Sequence, residues 1–171
     1  MKTELDILLP VFNEAEYIDE LLKGIDKAIK KKIKYKFLIC EDGSTDGTKE
    51  ILKKLKKKYL IKLIAGKKRK GFSRAVQDGI KKAESDYLLM MDSDGQCDFS
   101  NILKFWKYRS HFDSINAFRK KRIDYAYRKV FSNVCYIFYQ LLFDVPLKDP
   151  SFTFILVNKK VYRSLRNYKV L

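Results

Sequence analysis

The chain has 171 residues, 46% hydrophobic and 34% charged, with 7 Gly and 3 Pro. This is a globular composition long enough for one buried core, and it excludes collagen-like, low-complexity and disordered chains. Its 3 Cys (Cys40, Cys97, Cys135) lack paired spacing and His111 is its one histidine, which argues against a disulfide scaffold, a Cys- or His-based zinc centre and a His-based triad, and points to a reducing compartment such as the cytosol. With 37 Lys and Arg against 21 acids the formal charge is +16, which predicts an anionic partner: nucleic acid, a membrane surface or a phosphorylated substrate.

In chain order, Leu5–Leu9 reads as a buried strand; Lys2, Glu4 and Asp6 interrupt any early apolar run of the signal-peptide kind. Glu14–Lys30 follows as a helix, with Ile18, Leu21, Leu22, Ile25 and Ile29 at helical spacing and Asn13 as its expected N-cap. Tyr35–Cys40 is a second strand and Asp46–Tyr59 a second helix, with Ser44, Thr45 or Asp46 as cap. Leu60–Ile64 is a third strand and Gly71–Ala83 a third helix, with Ala75, Val76, Gly79 and Ile80 on its packed side. Tyr87–Met91 is a fourth strand, Phe99–Ser110 a helix and Ser114–Phe118 a strand. Tyr125–Phe143 reads as a long helix, then Phe152–Val157 and Lys159–Leu165 as a last strand and helix. The most apolar stretch, Val130–Phe143, is interrupted by Ser132, Asn133 and Gln140 and is too short to span a bilayer.

Strands alternating with helices of this length predict an α/β fold, a mostly parallel sheet flanked by helices in a single domain over residues 1–171. In such sheets ligands bind beyond the carboxyl ends of the strands, so the loops after Leu9, Cys40 and Met91 are expected to carry the chemistry. They contain Pro10-Val11-Phe12-Asn13-Glu14, Glu41-Asp42-Gly43-Ser44 and Asp92-Ser93-Asp94-Gly95-Gln96. Asp92 and Asp94 are two apart and share one side of extended backbone. Two carboxylates so placed repel unless a cation lies between them, and hard oxygen ligands suit Mg²⁺ or Mn²⁺ completed by phosphate oxygens. Gln96 can add an amide oxygen. Residues 49–82 hold 14 basic and 2 acidic side chains, read here as solvated outer helix faces. The Lys are spread over several helices without interleaved aromatics, which argues against a nucleic-acid partner.

Taken together and in order, these motifs, with Gly71-Phe72-Ser73-Arg74-Ala75 and the later Arg119–Asp124, Arg128–Ser132 and Lys148–Phe152 segments, resemble family-two glycosyltransferases of the GT-A (Rossmann-like) fold. Within them the chain is similar to the dolichol-phosphate mannose synthase and polyprenyl-phosphate glycosyltransferase group. The resemblance implies that Pro10, Phe12, Glu14, Glu41, Asp42 and Gly71 bind the donor, a GDP- or UDP-linked sugar, alongside Asp92. It implies that Asp92, Asp94 and Gln96 hold the metal and diphosphate, that Arg119, Arg128 and Ser132 receive the phosphate of a polyprenyl phosphate lipid, and that Asp94, Arg128 and Asp149 lie at the reacting centre. Phe12 stands where Tyr is common and Glu41 where Asp is common, which leaves the base preference open; Thr153 stands where Gly is usual after the Asp-Pro segment, so that loop is expected to differ. Many relatives continue past the equivalent of Leu165 into membrane-contacting helices, so any C-terminal extension here is expected to be short or missing.

The implied reaction is inverting transfer to a phosphate oxygen that is already anionic, needing alignment by Arg forks more than deprotonation. The alternative is a sugar-hydroxyl acceptor on a glycan or glycolipid, for which Asp149 is the candidate base, or a catalytically impaired relative. The apolar face of Arg128–Phe143 and the basic surface together predict peripheral contact at the cytoplasmic face of a membrane.

Overall fold

The computed structural model describes residues 3–93, 98–118 and 153–167. Strands β1 (Leu5–Val11), β2 (Tyr35–Glu41), β3 (Ile61–Ala65), β4 (Tyr87–Met91), β5 (Ser114–Asn116) and β6 (Phe154–Asn158) form one sheet in the order β3-β2-β1-β4-β6-β5. β1 pairs in parallel with β2 and β4, and β2 with β3, while β6 runs antiparallel to β4 and β5. β1 is central and buried at every residue, so its sequence is continuously apolar rather than alternating, save for Asp6 and Pro10. The buried Asp6 carboxylate accepts hydrogen bonds from the amides of Glu84 (2.7 Å) and Ser85 (3.0 Å) and from the Ser85 hydroxyl (2.7 Å). This latch fixes the start of β1 to the turn that precedes β4.

Helices α1 (Ile18–Ile29), α2 (Thr48–Leu55) and α4 (Ser100–Tyr108) cover one face of the sheet, and α3 (Phe72–Lys82) with α5 (Lys159–Ser164) covers the other. α1 buries Ile18, Leu21, Leu22, Ile25 and Ile29, the stripe its spacing predicts. α3 lies close on the sheet because Gly79 has no side chain: a Cβ there would fall 2.2 Å from Leu8 Cδ1 and 2.8 Å from Cys40 Sγ.

Element boundaries shift where loop chemistry competes with helix formation. The first helix begins at Ile18, not Glu14, and Tyr17 is its N-cap. Asn13 is no cap: it sits at φ 55°, and its side chain bonds a neighbouring loop instead. The second helix spans Thr48–Leu55, inside the expected Asp46–Tyr59, with Gly47 at φ 92° as N-cap. The third strand is Ile61–Ala65, the fifth stops at Asn116 and the last is Phe154–Asn158. The predicted helix Tyr125–Phe143 lies outside the described residues.

Candidate functional site

The strand order reverses between β1 and β4, the position at which a crevice opens beyond the carboxyl ends of an α/β sheet. The loops leaving β1 and β2 are zipped together there by side chains bonding backbone. The Asn13 amide donates to Ser44 Oγ (3.0 Å), and the Thr45 amide returns a bond to Asn13 Oδ1 (2.9 Å). The Glu14 amide donates to Thr48 Oγ1 (3.0 Å) and the Ala15 amide to Asp46 Oδ2 (3.0 Å), while Asp46 Oδ1 takes the Thr48 amide at 3.1 Å. Burial works against ionisation of Asp46, but these hydrogen bonds outweigh it and hold the carboxyl below its ordinary range.

A third loop, after β3, is fastened to the same edge. Asp42, which is buried, accepts the amides of Lys70 (2.7 Å) and Gly71 (2.8 Å) on its two oxygens. The Gly66 amide donates to the Glu41 carbonyl (2.7 Å). Gly43, at φ 80°, lies against this loop so closely that a Cβ would come within 2.6 Å of the Lys68 and Arg69 backbone. The loop is therefore positioned by backbone contact, and it places the Arg69 guanidinium 4.1 Å above the centre of the Phe12 ring.

These loops enclose an open cleft of about 300 Å³, lined by Pro10, Val11, Phe12, Glu14, Asp42, Arg69, Phe72, Ala75, Asp92 and Ser93. The Ser93 hydroxyl bonds Glu14 Oε1 at 3.3 Å, joining the first loop to the end of β4. The Asp92 amide is held by the Thr153 carbonyl (3.2 Å). Of the residues expected at the donor, Pro10, Phe12, Glu14, Asp42 and Asp92 meet on this cleft. Glu41 does not line it. Glu41 is buried beneath the turn, where Oε1 accepts the Ser44 amide and Oε2 lies 3.7 Å from Lys49 Nζ. Gly71 serves by giving its amide to Asp42. Asp94, Gln96, Arg119, Arg128, Ser132 and Asp149 lie outside the described residues. Among the described residues no group of three or more His, Cys, Asp or Glu is assembled to hold a metal. Asp92 alone of the expected ligands is described, at the cleft wall.

Arg69 lines the cleft without having been singled out in the sequence, and Phe72 and Ser93, which stand inside quoted motifs, line it without having been given a role. The available signal was parallel pairing: β3 runs with β2, so its carboxyl end opens on the same edge, but the Lys-rich run beyond it reads as solvated charge. Cys40, at the foot of the same loops, is buried, and burial pushes its thiol up to about 12.

Residues 6–166 match the family described as Glycosyl transferase family 2. The dolichol-phosphate mannosyltransferase of Pyrococcus furiosus is 37% identical over 93 residues, 54% of this chain and 26% of that protein. The poly(ribitol-phosphate) beta-glucosyltransferase of Bacillus spizizenii is 29% identical over 109 residues, 61% of this chain and 17% of that protein. The chain thus spans less than a third of either relative. In fold, the mannosyltransferase PcManGT of Pyrobaculum calidifontis, solved in complex with GDP-Man and Mn²⁺, superposes with a TM-score of 0.72 over 99% of this chain and 48% of its own, at 15% identity.

Proposed function

The chain belongs to glycosyl transferase family 2 and has the GT-A fold, and from that premise we propose that it transfers a hexose from a GDP- or UDP-linked sugar to a polyprenyl (dolichyl or undecaprenyl) phosphate, with inversion at the anomeric carbon. The observation that carries the reading is the cleft in which Pro10, Phe12, Glu14, Asp42 and Asp92 converge beyond β1, β2 and β4. The dolichol-phosphate relative supports the acceptor.

Phe12 offers a ring face to the base, and Arg69 brings positive charge to a wall that otherwise carries three carboxylates. Asp92, with Asp94 and Gln96, would hold Mg²⁺ or Mn²⁺; the oxygen donors fit a hard cation, and Mn²⁺ is present with PcManGT. When bound, such a cation would supply charge neutralisation for the diphosphate leaving group. In the transfer, the C1–oxygen bond to the diphosphate breaks with its electron pair leaving on the diphosphate. An acceptor phosphate oxygen forms the new bond to C1 from the opposite side. Arg119, Arg128 and Ser132 align that oxygen, which needs no base. No helix among the described residues is long and apolar enough to cross a membrane. The net charge of +16 is the feature that favours peripheral contact with an anionic membrane, read here as its cytoplasmic face.

A second reading, transfer to a glycan hydroxyl, is favoured by the poly(ribitol-phosphate) relative and requires a base, for which Asp149 is the candidate. Substitution at Arg128 separates the two. Arg128→Lys and Arg128→Ala both cut transfer to polyprenyl phosphate, Ala more deeply, because bidentate alignment is lost in each. Donor hydrolysis survives in both, and Asp149→Asn retains activity. Parent-like transfer by Arg128→Ala, with Asp149→Asn dead on a hydroxyl acceptor, would establish the second reading instead.

A further inference from the structure

Residues 67–77 contain five cations and no acid. Lys67, Lys68, Arg69, Lys70, Phe72 and Arg74 are all exposed, and Phe72 keeps 51% of its surface in solvent. Arg69 and Phe72 also line the cleft, so this segment is its lip. Within the lip, Lys70 is paired with Asp78 (2.8 Å) and Arg69 lies on Phe12. Lys67, Lys68 and Arg74 make no ion pair among the described residues, as is also true of Lys53, Lys54 and Lys57 on and after α2; the lip adds to its free cations an exposed ring, Phe72, at the edge of the cleft.

We propose that this lip, Lys67–Arg74, docks the protein on an anionic lipid bilayer with Phe72 inserted between the headgroups. Unpaired cations around an exposed ring match the two layers of a bilayer interface, anionic phosphates above an apolar boundary. One exposed ring is not the row of aromatics on which a nucleic-acid strand stacks. Continuity with the cleft gives the contact its purpose: a lipid-borne acceptor would reach the donor site without leaving the surface. The proposal rests on the lipid-acceptor reading for that purpose, but its test reads no sugar transfer.

The test is co-sedimentation of the full chain with vesicles of equal parts phosphatidylcholine and phosphatidylserine, and with phosphatidylcholine alone. Lys67→Glu/Lys68→Glu/Arg74→Glu is compared with Lys53→Glu/Lys54→Glu/Lys57→Glu, which makes the same charge change at exposed positions on and just after α2. Unchanged circular dichroism establishes that both variants are folded. The parent is expected to bind the anionic vesicles only, and less as salt rises. The lip variant should lose at least about tenfold in affinity, from attraction of roughly 1 kcal/mol for each basic side chain near an anionic surface. The α2 variant should stay within about threefold, its charges being largely screened away from the contact. Phe72→Trp should add emission that shifts to the blue on anionic vesicles. Equal loss in the two triple variants, equal binding to neutral vesicles, or an unshifted emission from the Phe72→Trp variant would overturn the proposal. So would a lip variant that binds vesicles normally and has lost only a single-stranded oligonucleotide. Failure of sugar transfer with vesicle binding intact would count against the proposed function alone.

Discussion

Arg69 is the one basic side chain among the described residues that line the cleft, where Glu14, Asp42 and Asp92 contribute carboxylates. A nucleoside diphosphate entering there meets repulsion that Arg69 relieves, so its contribution should depend on phosphate rather than base. Arg69→Ala is expected to weaken a nucleoside diphosphate by at least about tenfold, the scale of a lost charged hydrogen bond. The bare nucleoside should fall by less than about fivefold, the worth of an exposed cation–π contact on Phe12. Calorimetric titration of both ligands reads the difference, and equal losses would reduce Arg69 to a support for Phe12. At this scale the sequence was legible where a residue type follows a strand end: Phe12, Glu14, Asp42 and Asp92, named from different loops, lie together on one cleft. It was misleading for Glu41, whose carboxylate serves the Ser44 amide beneath the turn. It was also misleading for Asn13, because whether an Asn caps a helix or bonds a neighbouring loop depends on what lies 32 positions further along the chain.

Among the elements, α3 carries the tightest tolerance. Gly79→Ala adds a methyl that would fall 2.2 Å from Leu8 and 2.8 Å from Cys40, both buried. Overpacking of this kind costs about 1–3 kcal/mol, against a gain of about 1 kcal/mol in helix propensity. A net loss of up to about 2 kcal/mol is therefore expected in urea denaturation, and an unchanged or raised midpoint would mean that α3 can lift from the sheet. Helix α1 and strands β1, β2 and β4 were readable because a buried stripe or run is a local property. The position of β6 between β4 and β5 was not. Its apolar run, Phe154–Val157, fits a central or an edge strand equally well, and its antiparallel direction is set by pairing partners distant in sequence. The basic part of the loop after β3, residues 67–70, was read as solvated charge for a related reason: its charge is visible locally, but its attachment through Asp42 and Gly43 is not.

The whole molecule is tied at the edge away from the cleft by Glu84, which takes hydrogen bonds from Lys36 and Lys62, each at 2.8 Å. The bond from Lys36 and then that from Lys62 hold the Glu84 carboxyl down from 4.5 to about 2. A depressed acid stabilises the fold above its ordinary pKa and loses that contribution as pH falls, so the loss here runs from about 4.5 toward 2. The side chain is largely exposed, and screening leaves the two pairs worth about 1 kcal/mol together. Thermal midpoints of parent and Glu84→Gln should therefore converge between pH 5 and pH 2, and parallel curves would remove Glu84 from the acid response. At the opposite edge of the sheet lies the cleft for which transfer from a nucleotide sugar to a lipid phosphate is proposed. That transfer can be read by incubating the full chain with radiolabelled GDP- and UDP-sugars and a short polyprenyl phosphate, with Mg²⁺ or Mn²⁺ or with a chelator, and extracting into organic solvent. Label is expected in the organic phase for one donor, dependent on both the metal and the polyprenyl phosphate; label that stays in the aqueous phase with every donor would rule out the lipid-phosphate acceptor.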